Sequence, residues 1–190
     1  MGQNQEQPKQ QLRRQLLAAR SRLAAADVAR LSVAICTQVL ALPAFRAALH
    51  VVLYRAIATE VDPMGVAAAA IGLGKHLYYP VPSRDCFEFS PLRDRSAPPG
   101  TDTEALLAPD TRDVCFLVPG LGFDRRGVRL GRGFGWYDRA LARHPTGVRV
   151  GLAYDFQLVS SLPEATWDIR MNAVVTEARV LDGDAQCIGQ

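Results

Sequence analysis

Residues 118–141 have the sequence VPGLGFDRRGVRLGRGFGWYDRAL, the strongest pattern in this chain. They continue an apolar, β-prone run that begins at Val114, pass through a glycine-rich loop, and end in a helix-start pattern near Trp136. The order of strand, loop and helix is typical of α/β proteins, which bind ligands where parallel strands end.

The loop in this stretch predicts a phosphate-binding site. Three of its glycines alternate with other residues, namely Gly131, Gly133 and Gly135. Because glycine tolerates positive φ, successive N–H groups can point at one anion, and a helix starting at Trp136 adds its positive dipole end. Arg129 and Arg132 flank the glycines and suit bidentate contacts to phosphate oxygens. The alternative is a mobile loop with solvated arginines, since neither the G-x-x-x-x-G-K-[ST] nor the G-x-G-x-x-G pattern is present.

The composition predicts one soluble domain over residues 1–190. The chain is 48% hydrophobic, and a chain of this length buries about 70% of its unfolded surface in one core. The net charge is +3, and no block of like charge indicates a nucleic-acid or membrane surface. Residues 1–8 are polar, lack the apolar segment of a signal peptide, and are expected to be disordered. We therefore expect a cytoplasmic protein.

The cysteines give no sign of catalytic or metal chemistry. They are far apart, without a C-x-x-C pair or a nearby run of histidines: Cys36, Cys86, Cys115 and Cys187. Cys115 lies in an apolar run, where a thiol behaves as a small hydrophobic group. We expect all of them to be reduced and uninvolved in the function.

Near the N-terminus, the spacing of apolar residues predicts a helix over Lys9–Ala26. Its buried stripe consists of Leu12, Leu16, Ala19 and Leu23. Lys9 and Arg13 are four residues apart and project from the same face of this helix. They can therefore hold a polyphosphate together, or form an ordinary solvated basic face.

The rest of the chain alternates between predicted strands and helices. A second helix is expected from an Asp27 N-cap to Pro43. The other predicted segments are strands at His50–Ile57, His76–Val81 and Val148–Ala153, helices ending at Gly72 or Gly74 and covering Trp136–Arg143, and a loop at Pro82–Pro109. This alternation predicts an α/β domain with a mainly parallel sheet flanked on both faces by helices.

Two acids follow the first predicted strand, in the string Thr59-Glu60-Val61-Asp62. Strand-to-helix turns are the usual place for function in α/β proteins. Acids are also favoured at the first turn of a helix, so Glu60 and Asp62 can be simple helix caps.

The string P-G-L-G-F-D-x-x-G-x-R-L-G-x-G-x-G-x-Y-D-R resembles the signature of the 5-formyltetrahydrofolate cyclo-ligase family, also called methenyltetrahydrofolate synthetases. Three shorter strings are also similar to this family: the K-x-x-L-R that starts at Lys9, the E-V-D that starts at Glu60, and the G-L-A-Y-D-x-Q that starts at Gly151. The resemblance implies a three-layer α/β/α fold similar to the sugar-phosphate isomerase and CoA-transferase group.

The resemblance also implies a reaction, the ATP-dependent cyclisation of 5-formyltetrahydrofolate to 5,10-methenyltetrahydrofolate with release of ADP and phosphate. The implied cofactors are ATP and Mg²⁺. We expect a monomer that acts on this small-molecule substrate and binds neither nucleic acid nor membrane. Such chemistry depends on alignment and charge neutralisation, which fits a site of arginines and glycine N–H groups.

Site residues are implied in the same way. The nucleotide is assigned to Lys9, Arg13, Arg129, Gly131, Arg132, Gly133, Phe134, Gly135, Trp136 and Tyr137. The folate is assigned to Tyr54, Arg55, Glu60, Arg132, Phe134 and Trp136. Glu60 contacts the pterin ring and Arg132 neutralises the transferring group, so these two are the implied catalytic residues. Asp138 and Asp168 are the implied metal ligands, although an Asp before a strand is often a turn residue.

Several positions depart from the family pattern. Arg55 occupies a position that is generally apolar, Trp136 replaces a tyrosine, Asn172 replaces an aspartate, and an E-P pair is missing near Ala97-Pro98-Pro99. Trp136 can stack on a pterin or simply pack beneath its helix. These departures leave a second hypothesis, a divergent relative that keeps the nucleotide site but acts on another substrate or serves as a binding protein. An arginine-rich nucleic-acid binder is a third, for which no aromatic stripe or motif is present.

Overall fold

The computed structural model describes residues 3–92 and 105–183, with side chains from residue 7 onward. In these residues a mostly parallel sheet has the strand order β10-β9-β7-β4-β1-β2-β3. Its strands are β1 His50–Val52, β2 His76–Pro82, β3 Phe87–Pro91, β4 Val114–Pro119, β7 Val148–Leu152, β9 Ala173–Val175 and β10 Val180–Asp182. The central neighbours pair in parallel, and the edge strands β3 and β10 pair antiparallel.

Helices cover both faces of this sheet, as the alternating pattern predicts. They are α1 Gln3–Arg20, α2 Ala25–Ala41, α3 Pro43–Ala47, α4 Met64–Gly72 and α5 Trp136–Ala142. On one face, α2, α3 and α4 bury residues such as Ile35, Phe45 and Val66 in one hydrophobic cluster. On the other face, α5 buries Ala140 and Leu141 in a second cluster. The mixed α/β fold with a large, mainly parallel sheet is therefore confirmed.

A second, three-stranded sheet lies beside the first and was not predicted from the sequence. It consists of β5 Gly122–Asp124, β6 Arg129–Leu130 and β8 Leu158–Val159. Leu16 of α1 packs in a cluster with Leu130 of this small sheet and with Val128 and Leu162 beside it. A Cβ on Gly122 would lie 2.7 Å from Leu16 Cδ1, so α1 packs closely against this strand. The small sheet thus fixes the position of α1.

The first two helices have different bounds from those predicted. Helix α1 begins at Gln3 and so includes residues 3–8, part of the segment in which the sequence led us to expect disorder. It ends at Arg20 instead of Ala26 because a turn follows, in which Leu23 N–H donates to the Arg20 carbonyl. Asp27 is not the N-cap of α2 but lies in its first turn, 3.0 Å from Arg30 Nη2.

Two further differences concern strands. The strand predicted to run to Ile57 ends at Val52, because the chain leaves the sheet and closes a loop in which Tyr54 Oη donates to the Val61 carbonyl at 2.7 Å. The segment predicted as a loop over Pro82–Pro109 contains β3, whose F-E-F alternation was the available signal. Residues 93–104 of that segment, including Ala97-Pro98-Pro99, lie outside the described residues.

Membrane-spanning potential is limited in the described part of the chain. No single helix there is both long and apolar enough to cross a membrane. Residues 7–20 and 25–41 reach the required length and composition only as a pair, bent by 105°.

Candidate active site

A cavity of about 730 Å³ lies where β1 and β4 end. This volume is typical of small-molecule sites. Every one of the predicted site residues lines it: Lys9, Arg13, Tyr54, Arg55, Glu60, Arg129, Gly131, Arg132, Gly133, Phe134, Gly135, Trp136, Tyr137, Asp138 and Asp168. The fold therefore brings residues from α1, from the loop after β1 and from the glycine loop to one place.

The glycine loop has the backbone that its sequence predicts at two positions. Gly133 has a φ of 102°, and Gly135 has a φ of 66° and is the N-cap of α5. Arg13 of α1 donates from Nε to the Gly131 carbonyl at 3.1 Å. Residues far apart in sequence, on the N-terminal helix and in the central loop, are thus joined at the cavity wall.

The cavity carries an excess of positive charge. Five cationic side chains line it, against three carboxylates. The cations are Lys9, Arg13, Arg55, Arg129 and Arg132, and the carboxylates are Glu60, Asp138 and Asp168. Such an excess in a concave site favours anionic ligands.

Three of these cations are paired with the three carboxylates. The distances are 3.4 Å for Lys9–Asp168, 2.9 Å for Arg129–Asp138 and 3.0 Å for Arg132–Glu60. An anionic ligand that contacts one of these cations therefore competes with a carboxylate or shares the cation with it. The structure places the predicted functional residues next to each other and shows the partner that each already has.

Glu60 is the most enclosed of the three acids, with only 7% of its surface exposed. Its Oε2 accepts a hydrogen bond from Ile57 N–H at 3.0 Å, and its Oε1 accepts from Arg132 Nη2. Arg20, the last residue of α1, places its Nη2 3.5 Å from the same Oε1 and is only 2% exposed. Glu60 is therefore held by two guanidinium groups, one inside the protein and one in the cavity wall.

Arg20 is a residue that the sequence reasoning missed. It lies two helical turns after Arg13, on the face of α1 that also carries Lys9. That spacing was the available signal. An arginine beyond the family string looks like ordinary surface charge until the tertiary structure buries it.

Tyr54 lines the cavity but uses its hydroxyl internally, as the donor to the Val61 carbonyl. Burial raises the pKa of Tyr54 well above its ordinary value, and the negative charge of Glu60 raises it further. The phenol therefore stays protonated at neutral pH. Tyr54 holds the loop that carries Glu60 and is not an acid or base.

Arg129 is more enclosed than the sequence suggested, with its side chain only 6% exposed. Its guanidinium lies 5.4 Å from the centre of the Tyr137 ring and donates from Nη2 to Asp138. Partial burial raises the pKa of Tyr137, and the nearby Arg129 charge opposes that rise. Arg129 thus organises the start of α5 as well as lining the cavity.

The two predicted metal ligands lie at the same rim. Asp138 Oδ1 accepts from Ile169 N–H at 3.3 Å, next to Asp168 in the chain. Asp168 Oδ2 accepts from Ala165 N–H at 2.8 Å and pairs with Lys9. No group of three or more potential metal-binding side chains occurs in residues 3–92 and 105–183. The carboxylates are of the right kind for Mg²⁺, but a metal fits only if Lys9 or Arg129 gives up its partner.

Aromatic rings and prolines also line the cavity. Trp136 contacts Phe87 edge-to-face, with ring centres 5.1 Å apart, and both line the cavity with Pro80 and Pro82. Trp136 is half-buried, so it packs against the protein and faces the cavity at once. Phe87 was missed from the sequence because β3 was not recognised. These side chains suit a flat, largely apolar ring.

At the cavity rim, Phe134 is 71% exposed and Trp167 is 73% exposed. Trp167 was not among the residues predicted for the site. Arg55 lines the cavity beyond the end of β1, and its guanidinium lies 5.6 Å from the centre of the Tyr79 ring.

Several other sequence features prove to be structural. Asp124 in the glycine-rich signature is fully buried and accepts from Arg126 N–H, Val128 N–H and Leu162 N–H. Asn172 lies outside the cavity lining, and its Oδ1 accepts from Arg149 N–H at 2.8 Å. Asp124 therefore stabilises the turn between β5 and β6. Asn172 stabilises the start of β7.

The described cysteines Cys36, Cys86 and Cys115 are all free and buried. Burial raises the pKa of the Cys115 thiol to about 12, which leaves it protonated and unreactive at neutral pH. Cys187 lies outside the described residues.

The fold and this cavity define an α/β protein with a small-molecule cavity that is lined by an excess of positive charge and by aromatic rings. A family model described as the 5-formyltetrahydrofolate cyclo-ligase family matches residues 5–177. The chain therefore belongs to the 5-formyltetrahydrofolate cyclo-ligase family.

Curated relatives share this family name. The 5-formyltetrahydrofolate cyclo-ligase of Escherichia coli strain K12 is 43% identical over 84 residues, which cover 43% of this chain and 46% of that protein. The alignment thus spans about half the length of this relative. A probable 5-formyltetrahydrofolate cyclo-ligase from Schizosaccharomyces pombe is 25% identical over 91% of this chain and 97% of its own length.

Solved structures agree over almost the whole chain. The 5,10-methenyltetrahydrofolate synthetase of Aquifex aeolicus has a TM-score of 0.78 and 30% identity, covering 96% of both chains. The 5,10-methenyltetrahydrofolate synthetase of Mycoplasma pneumoniae has a TM-score of 0.73 and 26% identity, covering 89% of this chain and 98% of that one.

Proposed function

We propose that this protein catalyses the ATP-dependent cyclisation of 5-formyltetrahydrofolate to 5,10-methenyltetrahydrofolate. One observation carries the proposal: the cations of α1, the carboxylate of Glu60, the glycine loop and several aromatic rings line one cavity. Family membership and the names of the relatives support the same activity. The site has room and chemistry for an anionic group beside a flat ring.

The reaction has two steps. The formyl oxygen attacks the γ-phosphorus of ATP, the bond to the β-phosphate breaks, and ADP leaves. The N10 amine then attacks the formyl carbon, the carbon–oxygen bond to phosphate breaks, and N10 loses its proton as inorganic phosphate departs. Neither step needs a protein nucleophile. Both need alignment and neutralisation of negative charge.

The cavity residues divide between the two substrates in this proposal. Lys9, Arg13 and the glycine-loop N–H groups hold phosphates, and Arg132 neutralises the transferring phosphoryl group. Glu60 accepts hydrogen bonds from the pterin, which packs against Trp136. Because Arg132 is paired with Glu60 in the structure, pterin binding at Glu60 releases Arg132 for the phosphoryl group. The active site is thereby completed only when the folate is present.

Magnesium is the second proposed cofactor, held by Asp138 and Asp168 once Lys9 and Arg129 turn to phosphate. The ion would supply additional charge neutralisation at the phosphates. If so, Asp168→Asn lowers activity most at low Mg²⁺, and high Mg²⁺ restores part of it. Initial rates across a magnesium titration check this prediction. An equal loss of activity at all Mg²⁺ concentrations would indicate that Asp168 is a turn residue. Its role would then be limited to its contacts with Ala165 N–H and Lys9.

The activity itself is tested by mixing purified protein with MgATP and 5-formyltetrahydrofolate. The near-ultraviolet absorbance of the methenyl product should appear, with one ADP released for each product molecule. Omission of ATP should abolish the signal. If the protein binds ATP but forms no product, the alternative of a divergent relative with another substrate is favoured, and Arg55 is the cavity residue that motivates it.

Further expectations accompany this function. We propose that the fold is similar to the sugar-phosphate isomerase and CoA-transferase group, and that the protein is a cytoplasmic monomer that binds neither nucleic acid nor membrane. Light scattering of the purified protein tests the monomer. A stable mass of two chains would contradict it.

A further inference from the structure

Arg20 is a buried cation with one carboxylate partner in the described structure. Its side chain is 2% exposed, its Nη2 lies 3.5 Å from Glu60 Oε1, and its Nε is buried without a hydrogen-bond partner in the residues described. Burying a guanidinium is costly, and such groups usually persist because a paired charge needs them. Arg20 does not line the cavity. Its effect on any ligand must therefore pass through Glu60.

The two arginines that share Glu60 Oε1 differ in exposure and surroundings. Arg132 is half-exposed and lies in the glycine loop, whereas Arg20 is enclosed at the end of α1. A ligand that donates hydrogen bonds to Glu60 competes with Arg132, which can swing into the cavity. It cannot displace Arg20 without moving the helix.

We propose that Arg20 is a positioning residue that holds the Glu60 carboxylate in place after Arg132 leaves it. Arg20 acts as the permanent counter-ion, and Arg132 is the exchangeable one. A carboxylate held at a fixed position accepts a hydrogen bond from a ring N–H in good geometry. The folate half of the site thus depends on a residue that never touches the folate. This inference rests on the proposed function for the identity of that ligand.

The first experiment compares Arg20→Met, Arg20→Lys and a control, Arg22→Met. Arg22 lies two residues later and is exposed. Isothermal titration calorimetry measures the Kd for 5-formyltetrahydrofolate and, separately, for MgATP. Loss of a hydrogen bond to a charged group predicts a folate Kd raised at least about tenfold in Arg20→Met. The MgATP Kd should stay within about twofold of wild type in this variant. Arg22→Met should change neither constant.

Arg20→Lys distinguishes charge from packing. Lysine restores the positive charge on a flexible chain, so this variant should recover a large part of the folate affinity. If Arg20→Lys binds folate as weakly as Arg20→Met, a permanent counter-ion is the wrong explanation. If both constants rise together in Arg20→Met, the residue supports the fold of α1 and the proposal fails.

A double-mutant cycle tests the route through Glu60. Glu60→Gln alone should weaken folate binding, and adding Arg20→Met to it should produce little further loss, because the charge that Arg20 supports is already gone. Independent, additive losses would overturn the proposal. Where Arg20→Met does not fold, the same cycle is run with Arg20→Gln, which also removes the positive charge.

A separate experiment measures the Arg20–Glu60 interaction without folate. Urea unfolding of wild type, Arg20→Met, Glu60→Gln and the double variant should show non-additive stability changes, because the two groups pair in the folded state. Additive changes in the free energy of unfolding would show that Arg20 and Glu60 do not interact in the folded protein. If wild type fails to bind 5-formyltetrahydrofolate while this coupling is present, the proposed function fails and the ion pair remains.

Discussion

At the scale of single residues, three of the five cations that line the cavity are paired with its three carboxylates. Lys9 and Arg132 are two of these paired cations, and in the proposed function they turn from their carboxylate partners to phosphate. Arg55 is different, because its guanidinium contacts the Tyr79 ring and is not ion-paired with an acid among the described residues. Its charge is therefore available to an anionic part of the substrate.

The contribution of Arg13 to phosphate binding can be measured directly. Arg13 lies on the same face of α1 as Lys9 and bonds the glycine loop at Gly131. Arg13→Ala removes one charged contact worth about 1.5–3 kcal/mol, so the apparent constant for ATP should rise at least about tenfold. Steady-state ATP titrations check this, with thermal melting as the control for folding. An unchanged ATP titration would show that Arg13 of α1 does not contribute to ATP binding.

Trp136 supports a second prediction at this scale. It faces the cavity and also packs on Phe87. If it stacks on the pterin, Trp136→Ala should raise the constant for folate far more than the constant for ATP, and 5-formyltetrahydrofolate alone should change the tryptophan fluorescence of wild type. Trp167 also contributes fluorescence, so Trp167→Phe is the matched control. Lower thermal stability with both constants unchanged would make Trp136 purely structural.

At the scale of elements, α1 is the part that joins the small sheet to the cavity. Its polar face carries Lys9 and Arg13, and its apolar face packs through Leu16 on β6 and its neighbours. The glycine at position 122 allows this close approach. Helix α1 thus belongs to the active site because of how it packs, not only because of the charges it carries.

The packing of α1 on the small sheet can be weakened by a substitution at a residue that does not line the cavity. Leu16→Ala removes a buried side chain, 7% exposed, and should lower the free energy of unfolding by about 2–3 kcal/mol. Because α1 carries Lys9 and Arg13, ATP binding should weaken as well. Leu17→Ala, at an exposed neighbouring position, is the control and should change little. Urea unfolding and ATP titration check both effects, and unchanged ATP affinity in Leu16→Ala would separate helix docking from the site.

At the scale of the whole molecule, two hydrophobic clusters enclose the sheet from its two faces. The thiols of Cys36 and Cys115 belong to one of them. The cavity lies at the strand ends. The core can therefore stay closed when the charged side chains of the cavity change partners.

The closed core predicts how the thiols react. Cys115 is fully buried with a pKa of about 12, so a disulfide reagent at pH 8 should not modify it in the folded protein. Labelling at Cys115 should then proceed only as fast as the protein opens, and urea should accelerate it sharply. Mass spectrometry after timed labelling measures the rate at each cysteine. Rapid native labelling of Cys115 would contradict the packing of β4.

Much of this molecule follows from local sequence signals. The glycine loop, the start of α5 at Trp136 and the shared face of Lys9 and Arg13 depend on spacing and backbone preference, which act over a few residues. Repeating hydrophobic patterns also predict the alternation of helices and strands. These features required no knowledge of distant contacts.

Only the tertiary structure decided which charges are buried and which strands pair. Arg20 and Glu60 are 40 residues apart, and nothing local in the sequence shows that one arginine becomes a buried partner and Arg132 an exposed one. Strand β3 is stabilised by pairing with β2, a contact that its own composition does not specify. Burial and pairing depend on the whole chain, because desolvation and sheet hydrogen bonds arise only when distant segments meet.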